Sequence, residues 1–284
     1  MILLIENGRF GNQLFQINYA FKIRKKNEII YLVGFDDIKK ILKEKTYIKY
    51  IPNKSIIGKF IINYRYYLTK LYKHLRIGLL ILENKKEKIE YHKGFIPKVR
   101  FLSGFFQNPD FINSAFINSI NKDNVYAKKA EKKILLLKKK HNRIIFIHYR
   151  ATDFMMWPNK KSPAIVPLNW YARCLKKFYG FKIKLLVFSD SNFSLKKYTN
   201  RRYVNEKNHY LVDFFMMVNC DHGILSPSTF SWWAAYFLRK KKNNSIIIAP
   251  KYWAGHRMNV SYPKFLDKIN YKYIKVNKLD YINQ

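Results

Sequence analysis

At 284 residues and 34.3 kDa the chain suits two modest domains or one large one. Hydrophobic residues make up 48% and aromatics 17%, which excludes a disordered chain despite a formal charge of +37 from 55 Lys and Arg against 18 Asp and Glu. Cys174 and Cys220 lie in separate segments without CxxC or paired Cys and His spacing, so neither a disulfide scaffold nor a structural zinc site is expected.

The cations are diffuse: KIRKKN, KKILLLKKKHNR and LRKKKNN are spread along the chain among many Ile, Asn and Tyr. AT-rich coding sequence produces this habit. A polyanionic neighbour would also suit it, and anionic lipid headgroups fit as well as RNA. MILLIENGRFG offers four apolar residues before Glu6, and no run approaches a membrane-spanning length. The expectation is a cytoplasmic protein that rests on a membrane without crossing it.

In chain order, MILLIE reads as a short buried strand, GRFGN as a turn, QLFQINYAFKIRKK as a helix with Leu14, Phe15, Tyr19 and Ala20 inward, and EIIYLVG as a second strand. A strand, helix, strand opening implies a parallel sheet. Residues 36–92 contain Lys-rich helical pieces, IKKILKEK and NYRYYLTKLYKHLR, and read as a helical lobe. VRFLSGFFQNPDFI reads as a strand with a helix starting at Asn108, Pro109 and Asp110, and AKKAEKKILLLKKKH as a helix.

A second series follows: strand RIIFIHYR, helix PLNWYARCLKKFY, strand KIKLLVFSD, helix HYLVDFFMMVNC, strand HGILS, helix SWWAAYFLRKK and strand SIIIAP. This alternation predicts a doubly wound half. The boundary is placed within 135–142, giving domains 1–138 and 139–284.

His148, Arg150 and Asp153 stand where a strand becomes a loop, the edge of an open parallel sheet at which ligands bind. An arginine fork there suits a pyrophosphate. An Arg150–Asp153 salt bridge closing the loop is the competing reading. Ser228, Thr229 and Ser231 at a helix start offer hydroxyls and amides to an anion, or form a plain helix cap over a tryptophan core. Trp232 and Trp233 cannot face the same way on a helix, so one is expected between domains or near the ligand.

GRFGNQ, from 8 to 13, lacks the third glycine of GxGxxG and the GK[ST] of a P-loop. Its Gly11, Asn12 and Gln13 suit a phosphate or a sugar hydroxyl. There is no Asp-x-Asp, so no metal is expected and cationic side chains and helix ends would replace one.

Together these stretches resemble the family 11 glycosyltransferases, the α-1,2-fucosyltransferases. Gly8, Gly11, Asn12, Gln13, Leu14, Phe15 and Gln16 match the GxxGNQ(M/L)FQ motif, His148, Arg150 and Asp153 match HxRRxD in part, and Ser228 to Trp233 match STFSWW. GFFQNPDFI, VFSDS up to Asp190, the approach through Asp213, Cys220 and His222, and IIIAPKYW follow in family order. Ala151 stands where the family has its second arginine.

The resemblance implies an α/β fold of GT-B type, two Rossmann-like domains facing a central cleft. It implies inverting, metal-independent transfer of L-fucose from GDP-L-fucose to a galactoside hydroxyl in bacterial surface glycan synthesis. Under it, Arg150 neutralises the pyrophosphate, while Ser228, Thr229, Phe230, Ser231, Asp190 and the Gly11, Asn12, Gln13 motif contact the donor. His148 and Asp153 shape the loop or act as general base. The C-terminal domain would bind the nucleotide sugar, with the last residues packing back on the N-terminal domain, whose Lys and Tyr-rich lobe would meet a glycan acceptor, lipid-linked at an anionic membrane. Another fucosyl linkage or nucleotide sugar is the near alternative. An RNA-binding protein or a non-catalytic membrane scaffold are the alternatives from other classes; no RNP or KH signature supports the first.

Overall fold

The computed structural model describes residues 1–96, 98–178 and 183–281. They form two compact units, Met1–Asn124 and Val125–Gln284.

The first unit contains β1 (Ile2–Ile5), α1 (Phe10–Ile23), β2 (Ile30–Val33), α2 (Asp36–Lys39), β3 (Ile48–Ile51), α3 (Ile56–Asn63), α4 (Arg65–Leu75), β4 (Leu79–Glu83), β5 (Ile89–His92), β6 (Arg100–Ser103) and α5 (Ser114–Ser119). The strand order is β3-β2-β1-β6-β4-β5, parallel except for the β4–β5 pair. The expected helical lobe at 36–92 is therefore corrected: it supplies β3, β4 and β5 to the sheet as well as two substantial helices. Its short strands IKYI and IEYH carry Lys and Glu because they are the sheet's edges, where charge blocks further pairing.

Helix α1 is buried on nearly every side, so its amide side chains must find partners inside the protein. Gln16 Nε2 donates to Gly104 O at 2.8 Å and its Oε1 accepts from Asn7 N. Asn18 bonds the backbone of Phe111 and Asn113. These amides fasten the loops after β1 and β6. Asn108 caps only one 3-10 turn, Pro109–Phe111, and the α-helix begins at Ser114 under Asn113, a correction to the predicted start.

The second unit contains α6 (Val125–Lys138), β7 (Arg143–Tyr149), α7 (Leu168–Leu175), β8 (Ile183–Ser189), β9 (Tyr203–Glu206), α8 (Tyr210–Asn219), β10 (His222–Ile224), α9 (Thr229–Lys241), β11 (Ile247–Pro250) and β12 (Lys272–Ile274). Its sheet is parallel throughout, in the order β9-β8-β7-β10-β11-β12. Counting from β7, this is the 3-2-1-4-5-6 order of a dinucleotide-binding sheet. The ends of the predicted helix 167–179 and strand 182–190 at Tyr179 and Lys182 lie outside the described residues.

Helix α6 moves the boundary from 138/139 to 124/125. Ala127, Ala130 and Ile134 are buried, Lys133 Nζ donates to Asn208 Oδ1, and Lys138 pairs with Asp221 at 3.5 Å. As far as Tyr281, the last residues are tied to a helix of the second unit. Arg173 on α7 holds Asp280 with two bonds, of 2.6 and 3.1 Å, which keeps this segment in the second unit. Residues 282–284 lie outside the described residues.

Candidate active site

In the second sheet the strand order reverses between β7 and β10, and their carboxyl ends open the crevice in which such sheets bind ligands. Arg150 follows β7 and the SPSTFSWW segment follows β10, so topology alone brings two motifs together. Arg150 Nε and Nη2 donate to the two carboxylate oxygens of Asp153 at 2.9 and 2.6 Å. Its remaining nitrogen, Nη1, lies 3.4 Å from Ser228 Oγ at the start of α9. The Phe154 ring lies 4.7 Å from the guanidinium. The salt-bridge reading of Arg150 is realised: Asp153 fixes the fork, and the third nitrogen points at the N-terminus of α9.

Ser228 is the N-cap residue of α9, yet its side chain makes no cap bond to the helix. It faces Arg150 instead. Ser231, counted above as a donor contact, is turned inward: its hydroxyl is buried and donates to the carbonyls of Ser226 and Ser228, which shapes the turn. Thr229 and Phe230 occupy the first turn, with the Phe230 ring 5.7 Å from that of His148. Both tryptophans are fully buried. They diverge as helix geometry requires: Trp232 donates to Leu266 O, and Trp233 stacks on Phe237.

His148 is buried and shares a 2.6 Å hydrogen bond with Ser226 Oγ through Nδ1. Its backbone carbonyl accepts from Ser226 N and Tyr171 Oη. Burial, assisted by the positive charge of Arg150, lowers its pKa to about 3, so the imidazole is neutral at physiological pH. A base that weak makes a poor proton acceptor, and the bonds of His148 to Ser226 join the end of β7 to the loop after β10.

Asp190, at the end of β8, accepts from Ala151 N at 2.9 Å and Thr152 Oγ1 at 2.7 Å, and lies 4.0 Å from Arg150 Nε. It holds the arginine loop from the neighbouring strand. Ser226, Thr152 and Phe154 were missed as site residues, although Thr152 and Phe154 lie inside the same ATDF stretch and Ser226 opens SPST.

Gly11, Asn12 and Gln13 belong to the first unit, at the corresponding reversal between β1 and β6. They lie inside α1 rather than in a turn before it. Gly8 is the residue the turn requires, with φ of +75° and a Cβ position that would fall 2.5 Å from Asn12 Nδ2. Asn12 Oδ1 accepts from Gln107 Nε2 at 2.8 Å, and Gln13 Nε2 donates to Glu6 and to Gly8 O.

Two carboxylates complete this edge. Phe35 and Phe106 have left-handed backbones, and their N–H groups donate to Glu6 at 2.8 Å and Glu83 at 2.7 Å. Burial raises both carboxyl pKa values against those bonds. A cavity of about 490 Å³ opens beside them, lined by Asn7, Gln16 and Ser103 at the sheet and Arg65, Lys70 and Lys73 from α4.

Residues 3–275 match the description of glycosyl transferase family 11. The chain belongs to this family. The parallel sheets flanked by helices are those expected of a two-domain α/β fold of GT-B type. Among curated relatives it is similar to the O-antigen biosynthesis glycosyltransferase WbnK of Escherichia coli, 25% identical over 120 residues. That match covers 38% of this chain and spans 38% of the relative's length.

Similar solved structures include POFUT1 in complex with GDP, with 11% identity, a TM-score of 0.47, and coverage of 87% of this chain and 97% of that one. FUT1 of Arabidopsis thaliana in complex with GDP gives 10%, 0.45, 84% and 68% in the same order. Heptosyltransferase II of E. coli gives 13%, 0.44, 87% and 83%. Among the described residues no group of three or more His, Cys, Asp or Glu could hold a metal ion.

Proposed function

We propose that this family 11 glycosyltransferase transfers L-fucose from GDP-L-fucose to a galactoside hydroxyl in an α-1,2 linkage, with inversion and without a metal. One observation carries the reading most directly: Arg150, fixed by Asp153, presents Nη1 to Ser228 at the N-terminus of α9. A guanidinium and a helix N-terminus converging on one point suit the diphosphate of a nucleotide sugar.

In the reaction, the acceptor oxygen forms a bond to the anomeric carbon while the bond from that carbon to the β-phosphate oxygen breaks. The electron pair leaves with GDP. Negative charge grows on the departing diphosphate, where Arg150 stabilises it and where the helix amides add their share. The hydroxyl proton is lost to a base, a role to which neutral, weakly basic His148 is poorly suited. The O-antigen role in the name of the E. coli relative supports a surface-glycan acceptor. The cationic cavity of the first unit supports an acceptor carried on an anionic, lipid-linked diphosphate at the inner face of the cytoplasmic membrane.

Ala151 in place of a second arginine favours one further reading, a different nucleotide-sugar donor. Incubation with a panel of GDP and UDP sugars and galactosides, followed by linkage analysis, decides between the two. The expected product is a fucosyl-α-1,2-galactoside, formed with chelator present. Turnover and GDP binding left unchanged by Arg150→Ala would overturn the role given to the arginine.

A further inference from the structure

Helices α3 and α4 bury only one face. Ile61, Ile62 and Tyr72 pack toward the core cluster of Ile5, Val33, Leu80 and Phe101, and Tyr72 Oη donates to Val99 O at 3.0 Å. Away from it, Ile56 is 89% exposed, Ile57 64%, Phe60 57% and Tyr67 66%. The rings of Phe60, Tyr64, Tyr67 and Tyr66 follow one another at 4.8 to 6.3 Å. Leu71 and Leu75, four and eight residues after Tyr67, extend the same exposed stripe along α4.

A second segment joins the end of that stripe. Phe95 N donates to Arg76 O at 2.7 Å and Ile96 N to Ile77 O at 2.9 Å. Phe95 is 82% exposed, and Ile96 is exposed beside it. Exposed apolar side chains gathered on two helices and an adjoining loop are a feature of surfaces that bind a partner.

Charge identifies the partner. From residue 45 to 82 there are eight Lys and Arg and no Asp or Glu. A second copy docking face to face would set two such cationic stretches against each other, with no Asp or Glu inside either to offset them. RNA would meet the cations, but it would leave Ile56, Ile57, Leu71, Leu75 and Ile96 without an apolar partner, since single strands are read by stacking on rings. A bilayer with anionic headgroups satisfies both features: aliphatic groups enter the acyl boundary, tyrosines sit at headgroup depth, and cations meet phosphates.

We propose that α3, α4 and the 93–96 segment dock this protein on an anionic phospholipid surface. The proposal deepens the membrane-side placement given above and does not depend on which sugar is transferred.

The test is co-sedimentation of the full chain with vesicles of phosphatidylglycerol and phosphatidylethanolamine, against vesicles of phosphatidylcholine alone. Binding is expected to the first only and to weaken sharply at about 0.5 M NaCl, where charge screening is nearly complete. Ile57→Ser/Phe60→Ser/Tyr67→Ser is expected to weaken it roughly tenfold or more, because the apolar insertion is lost. Lys54→Glu/Lys59→Glu is expected to do the same while leaving the apolar stripe intact.

Melting temperature and GDP-fucose hydrolysis in solution should stay at wild-type values in both variants. Equal binding to both vesicle types, no binding to the anionic ones, or full binding by the folded variants would overturn the proposal. So would salt-sensitive RNA retention or a concentration-dependent dimer that the triple variant abolishes, with no vesicle binding in either case. Vesicle binding without fucosyl turnover would overturn the sugar assignment and leave the docking surface standing; the reverse pattern would do the opposite.

Discussion

The backbone N–H of Ala151 donates to Asp190 Oδ1 over 2.9 Å, and the methyl group of Ala151 is buried in the core cluster with Tyr149, Val166 and Tyr171. The position at which the family pattern carries a second arginine is thus used as a backbone anchor. Asp190 also accepts from Thr152, so one carboxylate holds two successive residues of the arginine loop. Asp190→Ala has two opposed effects. It removes a negative charge 4.0 Å from Arg150, and it unties the loop. Asp153 already neutralises the same guanidinium at 2.6 Å, so the charge effect is the smaller one. Two bonds to a charged acceptor are worth roughly 1.5 to 3 kcal/mol each, and their loss dominates. GDP affinity, measured by calorimetry, is expected to fall by about tenfold, one such bond's worth of lost preorganisation. Unchanged or tighter GDP binding would show that the loop does not need Asp190.

Much of this arrangement was legible in the sequence, and the limits were physical. The motifs at strand ends were visible because buried parallel strands such as RIIFIHY end abruptly in polar residues. The pairing of Arg150 with Asp153 follows from a separation of three residues. Its meeting with Ser228, 78 residues away, depends on β10 lying beside β7, an order that local pattern does not encode. The edge strands IKYI, IEYH, YVNE and KYI escaped notice because edges trade apolar alternation for charge. The boundary fell 14 residues late, at 138 instead of 124, because the Lys-rich stretch AKKAEKKILLLKKKH does not reveal which sheet its Ala127, Ala130 and Ile134 face will cover.

Arg150→Lys separates geometry from charge. A lysine retains the cation but cannot grip both oxygens of Asp153 while presenting another nitrogen to Ser228. Loss of one bidentate, oriented contact is expected to weaken GDP binding by about 10- to 100-fold, nearly as much as Arg150→Ala. A lysine variant within about twofold of wild type would mean that a point charge suffices.

His148 supplies a spectroscopic prediction. Burial and the Arg150 charge lower its pKa to about 3, far below the ordinary imidazole value. Labelled-histidine NMR should find the assigned His148 ring neutral, its shifts constant from about pH 8 to 5 where exposed histidines titrate, as for His256, whose pKa burial lowers to about 4. The same depression makes the fold acid-sensitive. Below pH 6.5 the unfolded chain binds a proton that the folded site refuses, so this stability is lost as pH falls toward 3. A His148 resonance titrating near 6.5 would contradict the neutral imidazole and restore it as a candidate base.

Asp213 on α8 shifts the other way. Burial raises its carboxyl pKa to about 6 from 3.8, although Asn208 Nδ2 donates to it at 2.8 Å. Between these values the folded protein holds a proton that the unfolded chain has released. The stabilisation from that proton is absent above about pH 6, grows as pH falls, and reaches roughly 3 kcal/mol below 3.8. At pH 7.5 the charge is simply buried at a cost, so Asp213→Asn, which keeps an oxygen for Asn208, should be more stable than wild type. His148 titrates identically in both proteins, so the difference between them isolates Asp213. Chemical denaturation of the pair is expected to show the variant's advantage shrinking by about 1.4 kcal/mol between pH 7.5 and 5, one pH unit's worth below the folded pKa. A constant gap across that range would place the Asp213 titration in the ordinary carboxylate range and remove burial as its governing influence.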